Sequence, residues 1–109
     1  MSTKLLDKTA AEAADRPIAS GKILIEDDKT IITQFTIKPG EQTGWHRHEF
    51  DYVAVQQSTG RLHLDYTDGS VLEIDYTPGV ALAVEAPVEH NAINVGDVDI
   101  IALEIEYKK

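Results

Sequence analysis

His46 and His48, one residue apart in Gly44-Trp45-His46-Arg47-His48, are the pair in this chain best suited to chemistry. In an extended strand residues i and i+2 share a face, so both imidazoles can converge on one metal ion. A third imidazole must then come from another strand, and of the four histidines only His63 and His90 remain. The chain has no cysteine, which excludes thiolate nucleophiles, disulfides, zinc fingers and iron-sulfur clusters. Any metal is therefore held by nitrogen and oxygen.

Strands have to position these residues. From Lys22 onward the chain reads as short extended segments: Ile23-Leu24-Ile25, then Thr30 to Lys38 with Ile31, Thr33, Phe35 and Ile37 alternating, then Asp51 to Gln57. Arg61 to Tyr66 and Ser70 to Tyr76 form a hairpin, followed by Val80 to Val84, His90 to Val95 and Val98 to Tyr107. Pro39-Gly40 and Pro78-Gly79 mark turns. About nine strands with no long helix between them predict an all-β barrel or sandwich in one domain over residues 21–109. Residues 1–20 are Ala-rich and charged, with a helical turn or two in Thr9 to Asp15 before Pro17, and read as an arm lying on that domain.

The hairpin at Asp68-Gly69 separates the two remaining histidines. A two-residue loop would place Leu64 opposite Glu73 and mix apolar with charged residues on both faces. A three-residue loop, Thr67-Asp68-Gly69 with a left-handed Gly69, pairs Leu64 with Leu72 and Leu62 with Ile74. The other face then carries Arg61 opposite Asp75 and His63 opposite Glu73, as on a solvated sheet surface. His63 is assigned to that surface, and His90 becomes the third imidazole.

These positions resemble the two sequence motifs of the cupins. Gly40, His46, His48 and Gly60 sit at the spacings of the first motif, and Gly79, His90 and Asn94 at those of the second, together spanning roughly half the chain. The resemblance implies a double-stranded β-helix, or jelly-roll-like, barrel with a metal at its histidines. It is narrower for small single-domain cupins carrying Gly-Trp-His-Arg-His and Asp-Tyr-Val, some of them named as β-alanine degradation proteins. The family's glutamate ligand falls on Tyr52 or Val53 here, leaving Asp51 as the nearest carboxylate and the candidate fourth ligand. In the second motif Glu85 and Pro87 stand where the family has proline and glycine, which alters the turn before His90. Asn94 is expected to be a structural hydrogen-bonder, Arg47 an exposed or interface residue, and Trp45, Phe50 and Tyr52 the walls of an apolar pocket, barrel core or subunit contacts.

Neutral imidazoles with an optional carboxylate suit iron, manganese, nickel, zinc, copper or cobalt, whereas calcium and magnesium prefer oxygen. Such an ion can polarise a bound carboxylate or carbonyl, or activate water or dioxygen. Two readings of function stay open. One is an enzyme of oxygenase, lyase or isomerase type acting on a small carboxylate or amino-acid-like metabolite, with Tyr52 or Asp51 as acid or base. The other is a non-catalytic module binding a metal and a small ligand. Metal-free chemistry of the sugar-epimerase kind fits three converging histidines worst. Nineteen acidic against ten basic residues, a net charge of -9, argue against nucleic acid and anionic membranes as partners. Without an apolar run of signal or membrane-span length the chain is expected in the cytoplasm, and the resemblance implies a homodimer.

Overall fold

The computed structural model describes residues 16–108, which form nine β-strands and no helix. They are β1 (Ser20–Glu26), β2 (Thr30–Ile37), β3 (His46–His48), β4 (Tyr52–Gln56), β5 (Gly60–Tyr66), β6 (Val71–Tyr76), β7 (Ala81–Val84), β8 (Val88–Asn94) and β9 (Ile100–Tyr107). Their ends lie close to those expected, except that β1 begins three residues before Ile23, β8 two residues before His90 and β9 two residues after Val98. The helical turns expected in Thr9 to Asp15 lie outside the described residues.

Two antiparallel sheets, ordered β1-β2-β9-β4-β7 and β3-β8-β5-β6, face each other across the core. Alternation decides which side chains meet there. The inner faces supply Ile37, Ile100 and Ala102 from the first sheet and Leu62, Leu64, Tyr76 and Ala92 from the second, all buried. Burying an aliphatic side chain of this size contributes about 1.5–3 kcal/mol, so this cluster is the main force holding the sheets together. Gly60 opens β5 at φ 131°, and a Cβ there would lie 2.7 Å from Ile100 Cδ1, so only glycine lets β5 pass so close to the most buried residue of the core.

The hairpin of β5 and β6 has the three-residue loop: Leu62 pairs with Ile74, Leu64 with Leu72, and Gly69 takes a φ of 90°. Gly69 N–H donates to Tyr66 O at 3.0 Å, closing the turn that sets this register. His63 accordingly points outward, its ring bonded to Asp65 at 2.8 Å and Glu73 at 3.1 Å, beside an Arg61–Asp75 ion pair at 2.9 Å. Partial burial opposes charge on the His63 ring, but the hydrogen bonds and charges of Asp65 and Glu73 outweigh it and raise its pKa above 6.5.

At the N-terminal end of the described chain, Ala19 N–H donates to Gln42 O at 2.7 Å and Gln42 N–H to Pro17 O at 3.0 Å. Residues 17–19 thus lie along the segment leading into β3. No helix among the described residues is long and apolar enough to cross a membrane.

A raised folded-state pKa makes the His63 contribution to stability full below the unfolded value and lost as pH rises through the folded one. His63→Gln is therefore expected to lower the thermal midpoint more at pH 5.5 than at pH 8.5, measured against the parent in matched buffers. An equal loss at both values would show that the protonated ring does not stabilise the hairpin.

Candidate metal centre

The site begins with a glycine. Gly44 adopts a φ of 86°, a left-handed conformation that side chains disfavour, and this kink turns the chain into β3. Its amide donates to Asn91 Oδ1 at 2.9 Å, and its carbonyl accepts from His46 Nδ1 at 2.8 Å. Asn91 is wholly buried and also donates to Gln42 Oε1 at 2.9 Å, while Thr43 N–H donates to Ala92 O at 2.8 Å. This network locks the loop onto β8 and assigns the proton of His46 to Nδ1, leaving the lone pair on Nε2.

In the register of β3 with β8, His46 stands directly opposite His90 and His48 opposite Val88. Alternation puts His46, His48 and His90 on one face, and their ligand nitrogens lie within 4.8 Å of one another. His48 and His90 are buried and His46 is half-buried. His48 reaches across the gap between the sheets: its ring stacks on Tyr52 with centroids 4.1 Å apart, and its Nδ1 bonds Glu106 Oε2 at 3.1 Å. That carboxylate assigns the His48 proton to Nδ1 in turn.

Nε2 of His46 and Nε2 of His48 consequently face each other at 3.1 Å, both with lone pairs. Such a contact is repulsive unless something positive lies between the two nitrogens. Donors bound at about 2.1 Å to one ion and subtending 90–109° are about 3.0–3.4 Å apart, so the spacing is that of two ligands of one metal. Nδ1 of His90 is buried without a hydrogen-bond partner, a second sign that the residues fit an ion. Burial, then the nearby imidazoles, push His90 down to about 3, and burial also lowers His46 against the pull of the Gly44 carbonyl. These rings are held in the neutral form that coordination requires.

Beside the three rings lies a cavity of about 230 Å³, walled by Tyr52, Tyr66, Tyr76, Gln56 and Glu104 together with apolar side chains. Leu72 on β6 and Leu82 on β7 line it yet remain 47% and 43% exposed, so it opens to solvent between these two edge strands. Burial, followed by the charge of Glu104, raises Tyr52 far above the ordinary phenol range, and burial pushes Tyr76 up to about 12. Both are phenols at neutral pH, able to donate a hydrogen bond and unable to act as bases. Glu104, 18% exposed, is raised to about 7 by burial and by the charge of Glu106.

The structure brings together His46, His48, His90 and Tyr52 from the sequence reading, and it places Asp51 elsewhere. Asp51 precedes Tyr52 in an extended chain, so its side chain leaves on the opposite side; it is exposed, and its Oδ1 accepts from Ala86 N–H at 2.8 Å. The expectation of Asp51 as fourth ligand or acid-base group is corrected by this alternation. Neither Trp45 nor Phe50 lines the cavity. Arg47 points outward and pairs with Glu49 at 2.8 Å, both at least half exposed, a contact of little energetic weight. Glu104 and Glu106 were missed. Their signal is parity: Ile100, Ala102, Glu104 and Glu106 share one face of β9, so acidic residues continue a core-facing row.

A family model described as the cupin domain matches residues 33–106. The chain belongs to the cupin family. This cupin is 34% identical over 93 residues to the β-alanine degradation protein BauB of Pseudomonas aeruginosa, covering 85% of this chain and 97% of that one. It superimposes with a TM-score of 0.82 and 38% identity on a cupin domain from Bordetella pertussis, over 87% of this chain and 98% of the other. The polyketide cyclase RemF from Streptomyces resistomycificus shares the fold at a TM-score of 0.65 and 21% identity, over 87% of this cupin and 70% of its own chain.

Asn94, which ends the second motif, is a structural residue in this cupin. Its side chain is buried, donates to Ile37 O at 2.7 Å and Val98 O at 2.8 Å, and accepts from Gly96 N–H at 2.9 Å. Asn94→Ala strands those groups and is expected to lower unfolding free energy by about 2–4 kcal/mol in urea titrations. A loss below about 0.5 kcal/mol would contradict this role.

Proposed function

We propose that this cupin holds a divalent transition metal on His46, His48 and His90 and takes a small metabolite into the adjoining cavity. The contact that carries the reading is the pair of Nε2 lone pairs at 3.1 Å, with the orphaned His90 Nδ1 in support. Nitrogen donors suit iron, manganese, nickel, zinc, copper and cobalt alike. When bound, the metal would polarise a substrate carboxylate or carbonyl, or activate water or dioxygen. Tyr52 then donates a hydrogen bond into the cavity and is the chain's own candidate acid. His46 and His90, held neutral, keep that end of the cavity free of positive side chains.

A small carboxylate or amino-acid-like compound is the substrate class we favour, and BauB's name as a β-alanine degradation protein supports it. No lysine or arginine lines the cavity among the described residues, so the counter-charge for a substrate carboxylate would be the metal itself. An oxygenase, lyase or isomerase activity fits this arrangement. A non-catalytic module that binds metal and ligand is the alternative, and the two differ in whether candidate substrates are turned over by the metal-loaded protein.

Elemental analysis of untagged protein tests the metal reading. Near-stoichiometric transition metal is expected in the parent and its loss in a His48→Ala/His90→Ala double variant. A parent that is empty and cannot be reloaded would sink the reading.

We also infer a homodimer. Ile25, Ile32, Ile105 and Val53 form a continuous row across β1, β2, β9 and β4 on the face turned away from the core. Ile25 is 48% exposed at its end. Apolar residues so aligned on an outer sheet face are best covered by a second copy of the same chain. Light scattering coupled to size-exclusion chromatography is expected to give twice the chain mass for the parent and a monomer for Ile32→Glu/Ile105→Glu. A monomeric parent at tens of micromolar would overturn it.

A further inference from the structure

The first cupin motif normally brings a carboxylate to the metal from the strand that follows the histidine pair, and in this chain that place is taken by Tyr52. From the neighbouring strand of the same sheet we propose that Glu104, on β9, supplies the missing carboxylate as a fourth ligand, an inference that rests on the metal reading above. Glu104 Oε1 lies 4.0 Å from His48 Nε2, the nitrogen left free for the ion. Two donors of one ion at 90–109° stand about 3.0–3.4 Å apart, so at 4.0 Å the carboxylate sits just outside that span and reaches the ion only by turning inward. Glu104 stands outside the group of three rings whose donor atoms lie within 4.8 Å of one another, so ligation requires its side chain to turn toward them. Its cross-strand neighbours, Thr33 and Ala54, are small and leave room for that movement.

Charge points the same way. Glu104 faces a cavity whose described lining contains no lysine or arginine. The one imidazole near it, His48, has its Nδ1 proton committed to Glu106 at 3.1 Å. A carboxylate withdrawn from water either takes up a proton or finds a positive partner. Among the groups this site is built to hold, the ion is the one beside it. The two glutamates of β9 then divide the work: Glu106 orients His48 through the far side of its ring, and Glu104 meets the metal directly.

Cobalt(II) is the probe, added to the full metal-free chain and titrated against a chelator while its visible absorption is recorded. Glu104→Gln, which preserves size, is expected to weaken cobalt binding at least about tenfold and to change the absorption bands, because an anionic oxygen leaves the ion. Asp51→Asn is expected to do neither. A Glu104→Gln protein with the parent's affinity and spectrum overturns the inference and leaves the three-histidine reading standing. Failure of the parent to bind cobalt overturns both. A measurement on the parent alone guards against a variant that does not fold: with glutamate labelled in carbon-13, zinc should shift a glutamate carboxylate band in the infrared difference spectrum. If no glutamate band moves, Glu104 is not a ligand.

Discussion

The mutual repulsion of two imidazole nitrogens organises the centre of this protein. His46 and His48 present lone pairs to each other because their remaining nitrogens are fixed as donors, one to the Gly44 carbonyl and one to Glu106. The first fixture is local, two residues before its ring, and the second comes from far along the chain. The first depends on a left-handed glycine held by buried Asn91, and the second on β9 in the opposite sheet. The two sheets must be packed at the right separation before the unfavourable contact can exist at all, and the aliphatic core supplies that packing.

His48 is the residue through which the two layers meet at the site. Its backbone is in the four-stranded sheet, while its ring lies against Tyr52 and Glu106 of the five-stranded one. The cavity is thereby closed at this end by polar and aromatic groups and left open between the edges β6 and β7. Its lining is mostly apolar, with three phenols, one carboxylate and no lysine or arginine among the described residues, so the proposed metal would be the positive charge at its polar end. Membership of the cupin family carries the barrel; the acidic groups on β9 are placed by this chain's own strand alternation.

Much of the fold was legible because strand periodicity and turn chemistry are local. The Thr67-Asp68-Gly69 loop set the register that turned His63 outward, and two apolar cross-strand pairs were enough to decide it. The three histidines were legible too, from i, i+2 spacing and elimination. What escaped were contacts between sheets. Nothing within β9 alone says that Glu104 and Glu106 face histidines, since that depends on how β9 lies against β3 across the interior. Asp51 was chosen as the carboxylate nearest the family's glutamate position at Tyr52 or Val53, but one step along an extended chain reverses direction, and Asp51 bonds the Ala86 amide instead.

Strand β9 is two-sided in a way that bears on any engineering of this protein. Glu104 and Glu106 occupy its inner face, while Ile105, between them in sequence, belongs to the apolar row on its outer face. The proposed metal ligand and the proposed dimer face thus stand on alternate letters of a single tripeptide, separated by the thickness of one backbone. A change made to alter either surface tugs on the peptide groups that aim the other. Loss of assembly and loss of ligand geometry can therefore arise together from one replacement, and assigning cause requires that both be measured.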